Sequence, residues 1–158
     1  MDQKEVGMRW SGFEGAAPEL ADAGKSLFTQ FGVGLGFLAT IRPDGGPRLH
    51  PMCPLFAEGG LFGFLIPSPK QRDLQRDGRF AMHSFPPEAV DDEFCITGTA
   101  RAIEPGPSRD VLVALHTANV EDDHTLFEFD VEGALLARYR FRGDWPPVYS
   151  RWSQAGSG

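Results

Sequence analysis

Glycine and proline interrupt this chain so often that a fold built from long helices is excluded. Nineteen glycines and thirteen prolines among 158 residues cut most of it into short pieces, many of them carrying aromatic or β-branched residues. Short β-prone runs bounded by turn residues are the pattern of antiparallel strands. The spacing predicts strands over 36–42, 48–56, 61–66, 79–85, 93–104, 126–131 and 135–141. Asp44-Gly45-Gly46 turns the first into the second, and Glu132-Gly133 turns the sixth into the seventh. Pro51 and Pro54 donate no ladder hydrogen bonds, so the second strand is expected at an edge or bulged.

Period-two alternation sorts the faces of the longer strands. In 93–104, Phe94, Ile96, Gly98, Ala100 and Ala102 share one face, and Gly98 marks a bend. In 126–131, Phe127, Phe129 and Val131 point inward, with Glu128 and Asp130 outward. Three helices fit between the strands. The first opens at Pro18, shows Leu20, Gly24, Leu27, Phe28 and Phe31 on one side, and stops at Gly32. The second runs over 70–77 and ends at Gly78. The third runs from Ser108, its expected cap, to about Ala118 and turns Val111, Leu112 and Leu115 to the core. About seven strands and two or three peripheral helices make a mainly-β (α+β) small barrel. It forms one domain over 1–158, with a polar lead-in 1–16 and an aromatic tail 143–158. A barrel of this size is filled by its own side chains, so a ligand sits outside it.

Charge and composition narrow the function. Fifteen Lys+Arg against twenty-two Asp+Glu give a net charge of −7, the wrong sign for gripping nucleic acid over a broad surface. No run reaches the length of a membrane span and the N-terminal residues have no signal-peptide order, so a cytoplasmic protein without membrane contact is expected. Cys53 and Cys95 are read as reduced core residues. Gly32-Val33-Gly34-Leu35-Gly36 precedes a strand instead of following one, so it is no dinucleotide loop. His116, Glu121, Asp122, Asp123 and His124 form a solvated loop, and no metal is expected.

The strongest chemical signal is the break before the second helix, where Ser68, Lys70 and Arg72 gather at a helix start. Unpaired N–H groups, a hydroxyl and two cations there suit a phosphate monoester. A solvated helix face, with Arg72 and Arg76 at i,i+4, is the other reading.

Two segments, Phe37 to Pro47 (FLATIRPDGGP) and Ser68 to Met82 (SPKQRDLQRDGRFAM), resemble the pyridoxamine 5′-phosphate oxidase-like, FMN-binding split-barrel superfamily. The resemblance covers about Phe37 to Glu104. It implies a homodimer with two flavin sites at the subunit interface, each built from both chains, and an oxidoreductase passing a hydride to or from a small molecule, with NADH or NADPH as a candidate reductant. It places Ser68 and Lys70 on the phosphate, with Arg72 nearby. Ala39, Thr40, Ile41 and Arg42 fall beside the ring. His50, next to Pro51, falls where the oxidases usually carry a phosphate-binding Arg, and Pro69 replaces a second Arg. The oxidases' C-terminal substrate segment has no counterpart before Trp152. A non-catalytic module for flavin, deazaflavin or haem is the alternative, with His50 or His83 as a haem ligand. A dimeric interaction protein without cofactor is a third reading.

Overall fold

A computed structural model describes residues 7–116 and 119–155. In chain order it contains α1 (Trp10–Ala16), α2 (Pro18–Phe28), β1 (Gly36–Ile41), β2 (Pro47–Met52), β3 (Leu55–Ala57), β4 (Gly60–Leu65), α3 (Pro69–Arg76), β5 (Arg79–Ser84), β6 (Glu93–Ile103), α4 (Pro107–Leu115), β7 (Thr125–Arg138) and β8 (Val148–Ser153). All strands belong to one antiparallel sheet in the order β2-β1-β5-β6-β7-β4-β3, with β8 added on β7. The two end strands of that path, β2 and β3, are separated in sequence only by Cys53 and Pro54. The sheet therefore has to curl until its ends nearly meet, which makes it a barrel with a split between β2 and β3.

The barrel is closed inside by its own side chains. Leu38, Met82, Phe94, Ile96, Phe127, Phe129, Val131 and Leu61 are all at most 1% exposed. Phe80 meets Phe129 edge-on at 4.9 Å. Helix α2 begins with Pro18 at its first turn and packs its Leu20, Ala21, Gly24 and Phe28 face on the barrel. A Cβ at Gly24 would lie 2.3 Å from the Phe94 ring, so this helix reaches its seat only because the side chain is a hydrogen. No helix among the described residues is long and apolar enough to cross a membrane.

The mainly-β split barrel agrees with the sequence reading, as do the β1–β2 hairpin and the edge position of β2. The hairpin turn closes through Arg42 N–H to Gly46 O at 2.8 Å, with Gly45 at φ 84°. The bend at Gly98 is a register shift between β6 and β7. There a Cβ would fall 1.8 Å from the Asp130 carbonyl oxygen.

Several expectations are corrected. Part of the lead-in is helix α1, whose Trp10 and Phe13 are buried against Phe56 and Trp152. The tail contributes an eighth strand. Segments 126–131 and 135–141 are no hairpin: the first, and the second up to Arg138, lie in the fourteen-residue strand β7, which crosses Glu132-Gly133 without turning, and 139–141 fall outside any strand. From Leu126 to Ala137 β7 pairs with β6 on either side of a bulge, while β4 takes its first part and β8 its second. Strand 48–56 is broken after Met52, because Pro54 begins a new direction and β3 pairs with β4. Helix α2 ends at Phe28, with Thr29 as its cap, before Gly32. Helix α4 has Gly106 at its cap position and no side-chain cap, and it buries Leu112 but leaves Val111 and Leu115 exposed. Its expected last residues, 117–118, lie outside the described residues. Ala102 and Cys53 are exposed, and Glu128 and Asp130 are buried. The outward face assigned to those two acids is covered by arginines from elsewhere: Arg9 Nε donates to Glu128 at 2.7 Å and Arg101 reaches both acids.

Candidate functional site

The hairpin β1–β2 and helix α3 meet at one junction. Alternation in β1 turns Leu38 and Thr40 inward and leaves Phe37, Ala39 and Ile41 on the outward face. The register pairs Thr40 with Arg48 and Leu38 with His50, so both β2 side chains share the inward face. Ala39 lies between Leu49 and Ala81, and Phe37 between Pro51 and His83, on the other face. The strand residues proposed from sequence are thus divided: Thr40 and His50 look inward, and Ala39, Ile41 and Pro51 look outward. Arg42 is occupied in its own turn, 2.6 Å from Asp44. Among the strand's backbone groups, the carbonyl of Ile41 accepts a hydrogen bond from Arg76.

Helix α3 starts one residue before the expected Lys70, with Pro69 in its first turn and Ser68 as its cap. The Ser68 hydroxyl donates to Ile66 O at 2.8 Å and accepts from Gln71 N–H at 3.4 Å. It is therefore engaged in building the turn. Pro69 has no N–H, and Arg72 N–H donates to Ser68 O. That leaves the Lys70 N–H as the first-turn donor without a partner among the described residues. The side chains of Lys70 and Arg72 form no ion pair there either, so two cations and one amide remain open at this turn. Such a set fits a phosphate monoester, with the amide and cations doing the work once given also to the hydroxyl.

What fixes the turn against the hairpin is a residue that the sequence reading missed. Asp73 is 1% exposed. Its Oδ2 accepts from Thr40 Oγ1 at 2.8 Å and from Arg48 Nε at 2.7 Å, and its Oδ1 faces Arg76 at 3.4 Å. Burial pushes the Asp73 carboxyl up, but the hydrogen bonds from Arg48 and Thr40 and the charge of Arg48 outweigh it and hold the group below the ordinary carboxylate value. Gln71 ties the other side of α3 to Leu65 O at 2.8 Å. The sequence offered one hint, an acid next to the buried Leu74, but no means of naming partners 25 and 33 residues away.

The outward face of the sheet carries an open cleft of about 620 Å³ lined by Cys95, Thr97, Gly133, Leu135, Arg151 and Trp152. It does not include Ser68, Lys70 or Arg72. Burial pushes the Cys95 thiol up, so this cysteine stays protonated. His83 lies on the same face, with Nδ1 2.6 Å from Ser84 O. A carbonyl only accepts, so Nδ1 is the nitrogen that carries a proton there, which leaves Nε2 as the lone-pair nitrogen of the neutral tautomer.

No protein-family model matches the chain, and no curated protein matches it in sequence. Solved structures do match. A haem-binding protein from Mycobacterium smegmatis superposes with a TM-score of 0.64 at 16% identity, over 83% of this chain and 57% of that one. PhzG from Burkholderia lata 383, solved with tetrahydrophenazine-1-carboxylic acid, gives 0.58 at 14% identity over 78% and 77%. HutZ, the haem storage protein from Vibrio cholerae, gives 0.53 at 15% identity over 73% and 89%. This chain spans little more than half the length of the mycobacterial protein. At these identities the likeness establishes the fold alone, a split barrel.

Proposed function

We propose that this protein binds FMN as a homodimer and acts as a flavin-dependent oxidoreductase on a small molecule. The observation that carries the reading is the first turn of α3, where Lys70, Arg72 and one amide stand unpaired among the described residues on a helix braced by a buried carboxylate. The resemblance of the two sequence segments and the shared fold support it. Bound flavin supplies hydride transfer; the chain supplies binding and orientation. Lys70 and Arg72 hold the phosphate. The small outward side chains Ala39 and Ala81 give a planar ring system a flat wall, and a second copy covers Leu49, which is 65% exposed beside them.

Lys70→Ala is expected to weaken FMN binding by about 1.5–3 kcal/mol, the scale of one charge-assisted hydrogen bond, read by titration of flavin fluorescence. An unchanged affinity overturns the assignment. Turnover with NADH or NADPH separates an enzyme from a module that holds the cofactor, and light scattering tests the dimer.

Haem is the second reading, favoured by His83. Nδ1 held by a carbonyl, with Nε2 making no hydrogen bond among the described residues, is the arrangement of a ligating imidazole. Proteins of the same fold include a haem-binding and a haem storage protein. If haem binds here, His83→Ala should change the Soret spectrum of the haem-loaded protein; an identical spectrum removes this variant.

A further inference from the structure

We infer that Asp73 is a positioning residue that sets how strongly this protein prefers a phosphorylated flavin over an unphosphorylated one. The inference rests on the FMN reading above. One carboxylate joins three elements: Thr40 of β1, Arg48 of β2 and Arg76 one turn further along α3. The first turn of α3, with Lys70 and Arg72, has its place relative to the hairpin fixed through this residue. Arg48 is held by Nε alone among its hydrogen bonds and is 25% exposed, so its orientation too is set by Asp73. Arg48 and Arg76 set two positive charges directly on Asp73, and Lys70 and Arg72 add two more on the same short helix just before it. Without a fixed counter-charge, these cations repel one another and spread over the rotamers open to long side chains. A charge set that has to be ordered by its ligand binds that ligand more weakly than one already in place. The preorganisation acts on the anionic group alone. A neutral ribityl chain does not use it.

The test measures dissociation constants for FMN and for riboflavin in the wild type, Asp73→Asn and Thr40→Val, with urea unfolding alongside. In the wild type FMN binds more tightly than riboflavin. Asp73→Asn is expected to cut that preference about tenfold while riboflavin affinity stays within about twofold. Thr40→Val keeps the charge but removes one of its hydrogen bonds, and the preference falls about two- to threefold. If Asp73→Asn keeps the preference, or lowers both affinities equally, Asp73 is only structural and the inference is overturned while the FMN reading stands. If Asp73→Asn does not fold, Thr40→Val decides, and an unchanged preference overturns the inference. A wild type that binds both flavins alike ends the FMN reading itself.

Discussion

Asp73 is 1% exposed, Glu128 3% and Asp130 4%, so two groups of carboxylates lie equally deep in one small protein. Asp73 and Asp130 are nevertheless shifted in opposite directions. Both oxygens of Asp73 face donors, and its carboxyl is held below the ordinary range. Asp130 has Oδ1 buried without a hydrogen-bond partner, and its nearest cation, Arg101, stands 3.5 Å from Oδ2. Burial, joined by the neighbouring charge of Glu128, pushes its carboxyl up against the pull of Arg101. Glu128 has the better share of the arginines, one on each oxygen. Depth alone therefore does not decide whether a carboxylate supports the fold. The supply of donors does.

The largest effect expected from breaking this contrast is at Asp73. Asp73→Ala leaves Thr40 and Arg48 without their shared acceptor and should cost about 3 kcal/mol in urea unfolding, the lower end for a broken buried pair because Arg48 still reaches water. Glu128→Gln should cost less, about 1–2 kcal/mol, since Arg9 and Arg101 are 46% and 49% exposed and rehydrate readily. Asp130→Asn removes a charge that burial disfavours. Its stability at pH 7 should lie within about 1 kcal/mol of wild type, on the stabilised side. A loss as large as that of Asp73→Ala would show that the two sites do not differ as described.

Smallest, and sharpest in sign, is the dependence on pH. A lowered carboxyl stabilises the folded state above its ordinary value of 3.8 and loses that contribution as pH falls through its folded value, so the cost of Asp73→Asn should shrink in acid. A raised carboxyl works in reverse. Asp130 is tolerated best when protonated, and its burden grows as pH rises from 3.8 through its raised value. Asp130→Asn should therefore gain on wild type over that interval in paired urea titrations, and parallel curves would refute the assignment.

What was legible in the sequence was local. The β1–β2 turn, the helix start just after Ser68 and the alternation of β6 from Phe94 to Ala100 each depend on residues within a few positions of one another, and each agrees with the sequence reading. Glu132-Gly133 misled because a charged residue and a glycine mark a turn in a hairpin. Here Gly133 sits opposite the β6 bulge, where a Cβ would stand 3.0 Å from Thr97 Oγ1, so the glycine answers a cross-strand crowding invisible in β7 itself. Trp10 and Phe13 were passed over because two aromatics three apart among glycines and charges make too short a stripe to signal a helix. Glu128 and Asp130 alternate with phenylalanines as surface residues do, and their cover comes from Arg9, about 120 positions away, and from Arg101. At the candidate site, Ser68, Lys70 and Arg72 were named from the helix start alone. Asp73 and Arg48 were not, because their pairing is created only when α3 folds back over the hairpin.

Strand β7 lends its first part to β4 and its second to β8. Were β8 peeled off or clipped by a protease, the Gly133–Arg138 stretch would lose its neighbour on that side and offer a row of bare amides beside Leu135 and Leu136. An uncovered apolar edge of that kind recruits strands from other molecules. The last short strand thus doubles as a guard against aggregation, shielding a seam that six residues of pairing keep out of reach.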